Sequence, residues 1–181
     1  MAGLLTQTTN DQAAPQQGDA APTAANIEDP ILKQIEQGIE QSVPPEMQDT
    51  FQAAMVSGMT IMFSKETSNL MTDQLNASGD IVKNVSEGIA GLIVMIYNEG
   101  KLTEQQIPAL AMAAVPLMCQ ALDYAEKANG IDVTPELAAQ CTKATTAAVM
   151  QKFGISQDQV DQVIATGQQQ GGAQQQQMAG V

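Results

Sequence analysis

The chain has 181 residues, with 20 acidic residues against 7 basic ones and a formal net charge of −13 at pH 7. All the basic residues are lysines, so the chain lacks the arginine fork that grips phosphates and guanine edges, and we expect no direct nucleic-acid binding. Histidine, the usual general base and the commonest metal ligand, is also absent, so we expect no enzymatic activity, no metal site and no cofactor.

Both ends of the chain are polar, and we expect them to be disordered. Residues 1–28 form an arm rich in alanine, proline and glutamine, with too few large apolar side chains to offset the entropy lost on ordering. Residues 167–181 form a glutamine- and glycine-rich tail. A helical core domain is therefore expected over residues 29–166. Met1–Asn10 lacks the basic and apolar regions of a signal peptide, so we expect synthesis in a cytoplasm.

The first two predicted helices lie on either side of a proline pair. Asp29 is the predicted N-cap of the first helix, because Pro30 already has the backbone angle of the first helical position. The prolines at 44 and 45 end that helix. The second helix has one apolar stripe at helical spacing, formed by Phe51, Met55, Gly58, Met59 and Met62.

A short third helix is predicted from Leu70 to Leu75, where the polar break at residues 76–79 follows. The fourth predicted helix is the most apolar, and Gly100 is expected to give it a left-handed C-cap. Its apolar face is formed by aliphatic residues at helical spacing, namely Ile81, Val82, Val85, Ile89, Leu92, Ile93 and Ile96.

The fifth predicted helix follows a capping box formed by Thr103 and Gln106, and the Asn129–Gly130 pair ends it. Pro116 lies inside this helix and predicts a kink. One apolar face is expected, formed by Leu110, Ala114, Leu117, Ala121 and Tyr124.

The sixth predicted helix begins after Thr134 and ends at Gly154, and a short last helix follows Ser156. The expected inner face of the sixth helix is Leu137, Cys141, Ala144, Ala148 and Phe153. No segment alternates with a period of two over a useful length. The predicted fold is therefore all-α, an irregular antiparallel bundle of five to seven helices.

Two short patterns have the residues of functional sites but not their spacing. Residues 88–91 contain two glycines, but neither the strand nor the lysine of a nucleotide-binding loop accompanies them. We interpret these small residues as allowing a neighbouring helix to approach closely. Cys119 and Cys141 lie far apart without histidine, so we predict buried, reduced thiols rather than a zinc site or a disulfide framework.

Two runs without charge, Ile89–Tyr97 and Ile107–Cys119, raise the question of membrane contact. A spanning helix needs about 20 apolar residues, so neither run is expected to cross a bilayer by itself. The first interpretation is two core helices packed together. The alternatives are that oligomerisation buries the same faces, or that they enter a membrane after a rearrangement. The candidate surface for helix–helix or membrane contact is Ile89, Leu92, Ile93, Ile96, Leu110 and Leu117.

Four segments follow one another in a recognisable order. They are the Gly-Met aliphatic run Phe51–Phe63, the short segment Leu70–Leu75, the apolar helix Ile81–Tyr97, and the helix Leu110–Ala128 with Asn129-Gly130-Ile131 after it. This order resembles small virion structural proteins of tailed, podovirus-like bacteriophages. Those proteins have a polar arm, a Gly-Met aliphatic helix and three or four further helices. The resemblance covers residues 29–165.

The resemblance implies an internal protein of the phage particle that is released with the genome and, in several copies, helps to form a conduit across the host envelope. Its partners are then other virion proteins and copies of itself, with host-membrane contact after release. The strong acidity departs from this pattern, because it favours contact with proteins over contact with packaged DNA. Two alternatives stay open: a capsid scaffolding protein or assembly chaperone, and a small helical adaptor that binds a partner helix in a methionine-lined groove.

Overall fold

The computed structural model describes residues 27–64, 73 and 79–155. Helices make up 83% of these residues and no strand occurs among them, so the predicted all-α bundle is confirmed. The α-helices are α1 (Pro30–Ser42), α2 (Gln48–Phe63), α3 (Ile81–Glu99), α4 (Ile107–Asn129) and α5 (Pro135–Lys152). Short 3-10 turns, Pro45–Met47 and Glu104–Gln106, precede α2 and α4.

Several predicted segments lie outside the described residues. These are the short helix Leu70–Leu75 except for Asp73, the last helix after Ser156, most of the N-terminal arm and the whole tail from residue 167. The predicted end of the arm at residue 28 falls inside the packed part of the chain, because the Ile27 side chain is buried in the core. The bundle therefore includes at least two residues that the sequence assigned to the arm.

Helix α4 occupies the centre of the bundle and contacts each of the other four α-helices. Every residue from Ala113 to Asp123 is buried, so this helix has no solvent-facing side over that stretch. A helix surrounded on all sides is expected to be apolar all round, and α4 largely is. The single apolar face predicted for it was too narrow. Pro116 lies within α4 and does not end it.

Most predicted helix ends are confirmed in atomic detail. Asp29 Oδ1 accepts hydrogen bonds from the N–H groups of Ile31 and Leu32, both at 2.9 Å. Thr134 Oγ1 accepts from the N–H of Leu137 at 3.2 Å. Gly130 adopts a left-handed conformation with φ of 67° after the last residue of α4. Side-chain acceptors and a left-handed glycine thus satisfy backbone groups that helix ends leave without partners.

The predicted left-handed cap at Gly100 is wrong by one residue. Gly100 has ordinary right-handed angles, and Lys101 takes the positive φ of 49°. A Cβ atom on residue 100 would lie 2.9 Å from the Ile96 carbonyl oxygen and 3.1 Å from Leu102 Cγ. The glycine is therefore needed for space, and the chain reverses at a lysine, at a cost of about 1–2 kcal/mol.

The inner face of α5 is rotated from the predicted one. The fully buried side chains are Ala138, Cys141, Thr145 and Val149, whereas Leu137, Ala144 and Ala148 are half-buried. The error has a physical cause. Thr145 is completely buried although it is polar. Because the inner face was predicted from apolar residues alone, the prediction passed over Thr145 and chose the neighbouring Ala144 instead.

A neighbouring helix approaches closely at Gly58 and not at Gly91. A Cβ atom on Gly58 of α2 would come within 2.6 and 2.7 Å of Leu117 Cδ1 and Cδ2 on α4. Gly91 is exposed and has nothing within 4 Å of a Cβ position. The close-approach interpretation is therefore wrong at Gly91, and α2 rests on α4 through Gly58.

We expect Gly58→Ala and Gly91→Ala to change stability in opposite directions. Alanine favours a helix over glycine by about 1 kcal/mol, and Gly91→Ala should gain that amount. At Gly58 the methyl group must displace both methyl groups of the fully buried Leu117 side chain, and we expect a cost of about 2–3 kcal/mol, which outweighs the propensity gain. Urea unfolding monitored by circular dichroism measures both changes. Stabilisation by both substitutions would contradict the close packing at Gly58.

Candidate functional site

The helical segment Glu104–Asn129, which contains α4, is by length and composition alone able to cross a membrane. It has 26 residues, and 78% of its most apolar window is buried inside the bundle. The central helix of a soluble protein passes the same test. The sequence-based expectation stopped the apolar run at Cys119, but the buried helix continues through Gln120 and Asp123. The buried part of this helix is therefore longer than the run Ile107–Cys119 considered from the sequence.

All six residues of the candidate contact surface lie in the interior of the bundle. The most exposed of them, Leu92, is 7% exposed, and Ile93, Leu110 and Leu117 are completely buried. The remaining two, Ile89 and Ile96, are also buried. These side chains form helix–helix contacts within the chain. Contact of the same residues with a membrane or a second copy stays a prediction, and it requires the helices to separate.

A buried carboxylate, Asp123 on α4, holds the beginning of α1 in place. Its Oδ1 accepts hydrogen bonds from the N–H groups of Glu28 at 3.0 Å and Asp29 at 3.4 Å. Its Oδ2 accepts from Lys127 Nζ at 2.8 Å, and Lys127 also pairs with Glu28 at 3.2 Å. The charge is thus compensated by two amides and an ammonium group, as a buried carboxylate requires.

A second polar contact joins α4 to the middle of α1. The Gln120 amide nitrogen donates to Glu36 Oε1 at 2.8 Å. Burial raises the pKa of the Glu36 carboxyl, and the hydrogen bond from Gln120 partly opposes that rise. The amide oxygen of Gln120 is buried without a partner among the described residues. Leu32 is the one fully buried side chain of α1, and the partly buried Ile31, Ile35 and Ile39 pack against the core beside it.

The two cysteines are buried and unbridged, as predicted. Burial raises the pKa of Cys119 to about 12 and that of Cys141 to about 11. Because the thiolate is the reactive form, neither thiol is activated as a nucleophile. Within residues 27–64, 73 and 79–155, no group of three or more acidic or cysteine side chains is placed to hold a metal ion.

We expect both thiols to resist labelling while the bundle is closed. At pH 8 the folded protein should react with a disulfide reagent such as DTNB far more slowly than the urea-unfolded chain, because burial blocks access and disfavours the thiolate. The measurement is the thiol titration rate with and without urea. Immediate labelling of the native protein would show that the interior of the bundle is already accessible, at α4 if Cys119 reacts and at α5 if Cys141 reacts.

The Thr145 hydroxyl is the second buried polar group without a partner in the part of the chain that the structure describes. We expect Thr145→Val to stabilise the protein by about 1 kcal/mol, since it removes an unsatisfied group and keeps the shape. Thr142→Val is the matched control, because the Thr142 hydroxyl already donates to the Ala138 carbonyl at 2.8 Å and its loss should bring no gain. Thermal unfolding of both variants measures the difference.

An open groove lies between α2 and the C-terminal end of α3. Its volume is about 320 Å³. Its lining combines apolar side chains, including Ala53, Ile61, Ile96 and Leu102, with polar ones, including the carboxylates Asp49 and Glu99. Its described lining contains no methionine, so the expected methionine-lined groove is not found here.

Sequence reasoning did not single out Asp123, Gln120 or Thr145. One signal was available: a charged and a polar residue lie within an otherwise apolar helix, where an unpaired charge is costly.

Comparison of the chain with family models, with characterised proteins and with solved structures finds no match.

Proposed function

We propose that this protein is a non-enzymatic structural protein of a bacteriophage particle, stored inside the particle and released with the genome to help form a conduit across the host envelope. The observation that carries the proposal is α4, a helix of membrane-spanning length wrapped by four other helices. A soluble bundle of this kind stores an apolar helix until a trigger separates its parts. The resemblance to helical virion proteins supports the same role.

The polar residues of α4 fit a helix that lines a conduit. Gln120, Asp123 and Lys127 are spaced three and four positions apart, so they share one face of the helix. In the closed bundle this face contacts α1. In a membrane, polar residues are tolerated where they face a water-filled cavity. Several copies of α4 would then place this polar face towards the lumen and their apolar sides towards lipid.

Release of α1 is the opening step that this arrangement favours. It breaks the hydrogen bonds at Asp123 and Gln120 and uncovers one fully buried apolar side chain of α1, Leu32, and three partly buried ones, Ile31, Ile35 and Ile39. The other helices bury more: α3 contributes Ile89, Ile93 and Ile96 to the core. Separating α1 is therefore less costly than separating α3.

Quantitative mass spectrometry of purified particles, before and after triggered genome release, tests the proposed role. We expect the chain in full particles and its loss from emptied ones. Retention in both would indicate a fixed structural part and contradict release. Presence only in precursor shells would indicate a scaffolding protein, the role that the acidic surface favours.

Thiol labelling in the presence of vesicles tests the proposed opening. With Cys141 replaced by alanine, Cys119 is the single thiol and reports on the environment of α4. We expect lipid vesicles to change its labelling rate and to release an entrapped dye. Unchanged labelling together with intact vesicles, under conditions that open the particle, would contradict membrane insertion.

A further inference from the structure

We propose that the groove between α2 and the C-terminal end of α3 binds a basic segment of another protein, inserting one apolar side chain between flanking lysine or arginine residues. This inference does not rest on the proposed function. It concerns α2 and the end of α3, whereas the proposed function depends on α4. The two can therefore fail separately.

The groove is shaped for an apolar side chain. Ala54 and Ile96, both buried, lie at its base, and Ile61 and Leu102 are half-buried beside them. Small side chains on α2, including the exposed Ser57, keep the cleft open. Its volume of about 320 Å³ lies at the lower end of the range for ligand pockets, which suits one or two side chains of a peptide.

The charges around the groove favour a cationic partner. Asp49 and Glu99 are exposed, and neither forms an ion pair within the described residues. Glu99 also stands in the last turn of α3, which has no basic residue, and the exposed Lys101 that follows the helix forms no ion pair with it. The C-terminal end of a helix carries a partial negative charge, so the carboxylate adds to it instead of compensating it. A lysine or arginine placed here would offset both the charge of the Glu99 carboxylate and the partial negative charge of the helix end.

Other occupants fit this surface less well. Two copies of a chain with a net charge of −13 would bring like charges together at the groove. The segments 1–26 and 156–181 of the chain itself contain no lysine or arginine, and residues 65–78 contain a single lysine, Lys65. An anionic membrane surface or a nucleic acid would be repelled by the carboxylates of Asp49 and Glu99. A basic protein segment is the occupant that complements both the apolar base and the charged edge.

Fluorescence anisotropy with the full-length protein tests the inference. The probe is a labelled amphipathic helical peptide with leucine on one face and lysine on the other. We expect binding that weakens as salt is added, since exposed ion pairs are screened. Ser57→Trp, which fills the groove from an exposed position, should lower the affinity at least about tenfold. The double variant Asp49→Asn, Glu99→Gln should weaken binding and flatten its salt dependence.

Matched variants separate the groove from general attraction to an acidic protein. The double variant Glu87→Gln, Glu136→Gln removes the same charge from exposed positions outside the groove and should leave the affinity unchanged. Equal weakening by both double variants, or unchanged binding to Ser57→Trp, would overturn the proposal. So would equal binding of a control peptide with glutamate in place of lysine. Circular dichroism verifies that each variant keeps its helix content.

Discussion

Ile93→Glu is expected to unfold the protein. Ile93 lies on α3 with no exposed surface, and its side chain is part of the main core cluster. The substitution removes a large apolar group and buries a carboxylate without a partner, which together cost roughly 5 kcal/mol or more. Small domains have a total stability of about 5–15 kcal/mol, so most of it would be lost. Far-ultraviolet circular dichroism and urea unfolding measure the result.

Met95→Glu is the control for this prediction. Met95 lies two positions away on the same helix but is 44% exposed, so a carboxylate there stays solvated. We expect a change within about 0.5 kcal/mol, as for most surface substitutions. If Ile93→Glu stayed folded with the stability of Met95→Glu, the packing of α3 against its neighbours would be wrong.

Asp123→Ala is expected to lower stability by about 3 kcal/mol, because the amides of Glu28 and Asp29 and the ammonium of Lys127 all lose their acceptor. The loss should be concentrated at the beginning of α1. Hydrogen exchange of the amides of residues 28–32 should therefore accelerate more than exchange within α3. Global unfolding and residue-resolved exchange measure the two parts of the prediction.

Two further variants test the assignment of this effect to the buried carboxylate. Asp123→Asn keeps one acceptor oxygen and should lose less stability than the alanine variant. Asp132→Ala removes an exposed acidic residue from the loop after α4 and should change stability by less than about 0.5 kcal/mol. Equal losses in Asp123→Ala and Asp132→Ala would show that Asp123 does not anchor α1.

The local features of the fold were predictable because each depends on a few neighbouring residues. Asp29 before Pro30, Thr134 before Pro135 and Gly130 after Asn129 all mark the ends that the structure has. The exception at Gly100 is instructive. Glycine at a helix end is usually there for its backbone freedom, but here it is needed for space beside the Ile96 carbonyl, and that depends on how the following turn folds back.

The candidate site was predictable only in part. The six apolar residues were recognised as a contact surface, and the structure shows that the partner of this surface is the rest of the same chain. Periodicity identifies which residues avoid water, but it does not say what covers them. The groove between α2 and the C-terminal end of α3 could not be predicted. Its carboxylates, Asp49 and Glu99, are 50 positions apart in sequence, and only the packing of the two helices brings them to one groove.

The sequence by itself determined the helical class, most helix ends, the aliphatic core and the inert character of the two thiols. Helix propensity, capping and hydrophobic periodicity act over a few residues, so they can be read without coordinates. The tertiary structure decided that Gly58 accommodates Leu117, that Asp123 anchors the start of α1, and that the stretch Ala113–Asp123 of α4 is enclosed on all sides. Those features are contacts between distant segments, and a contact is a property of two surfaces that only folding brings together.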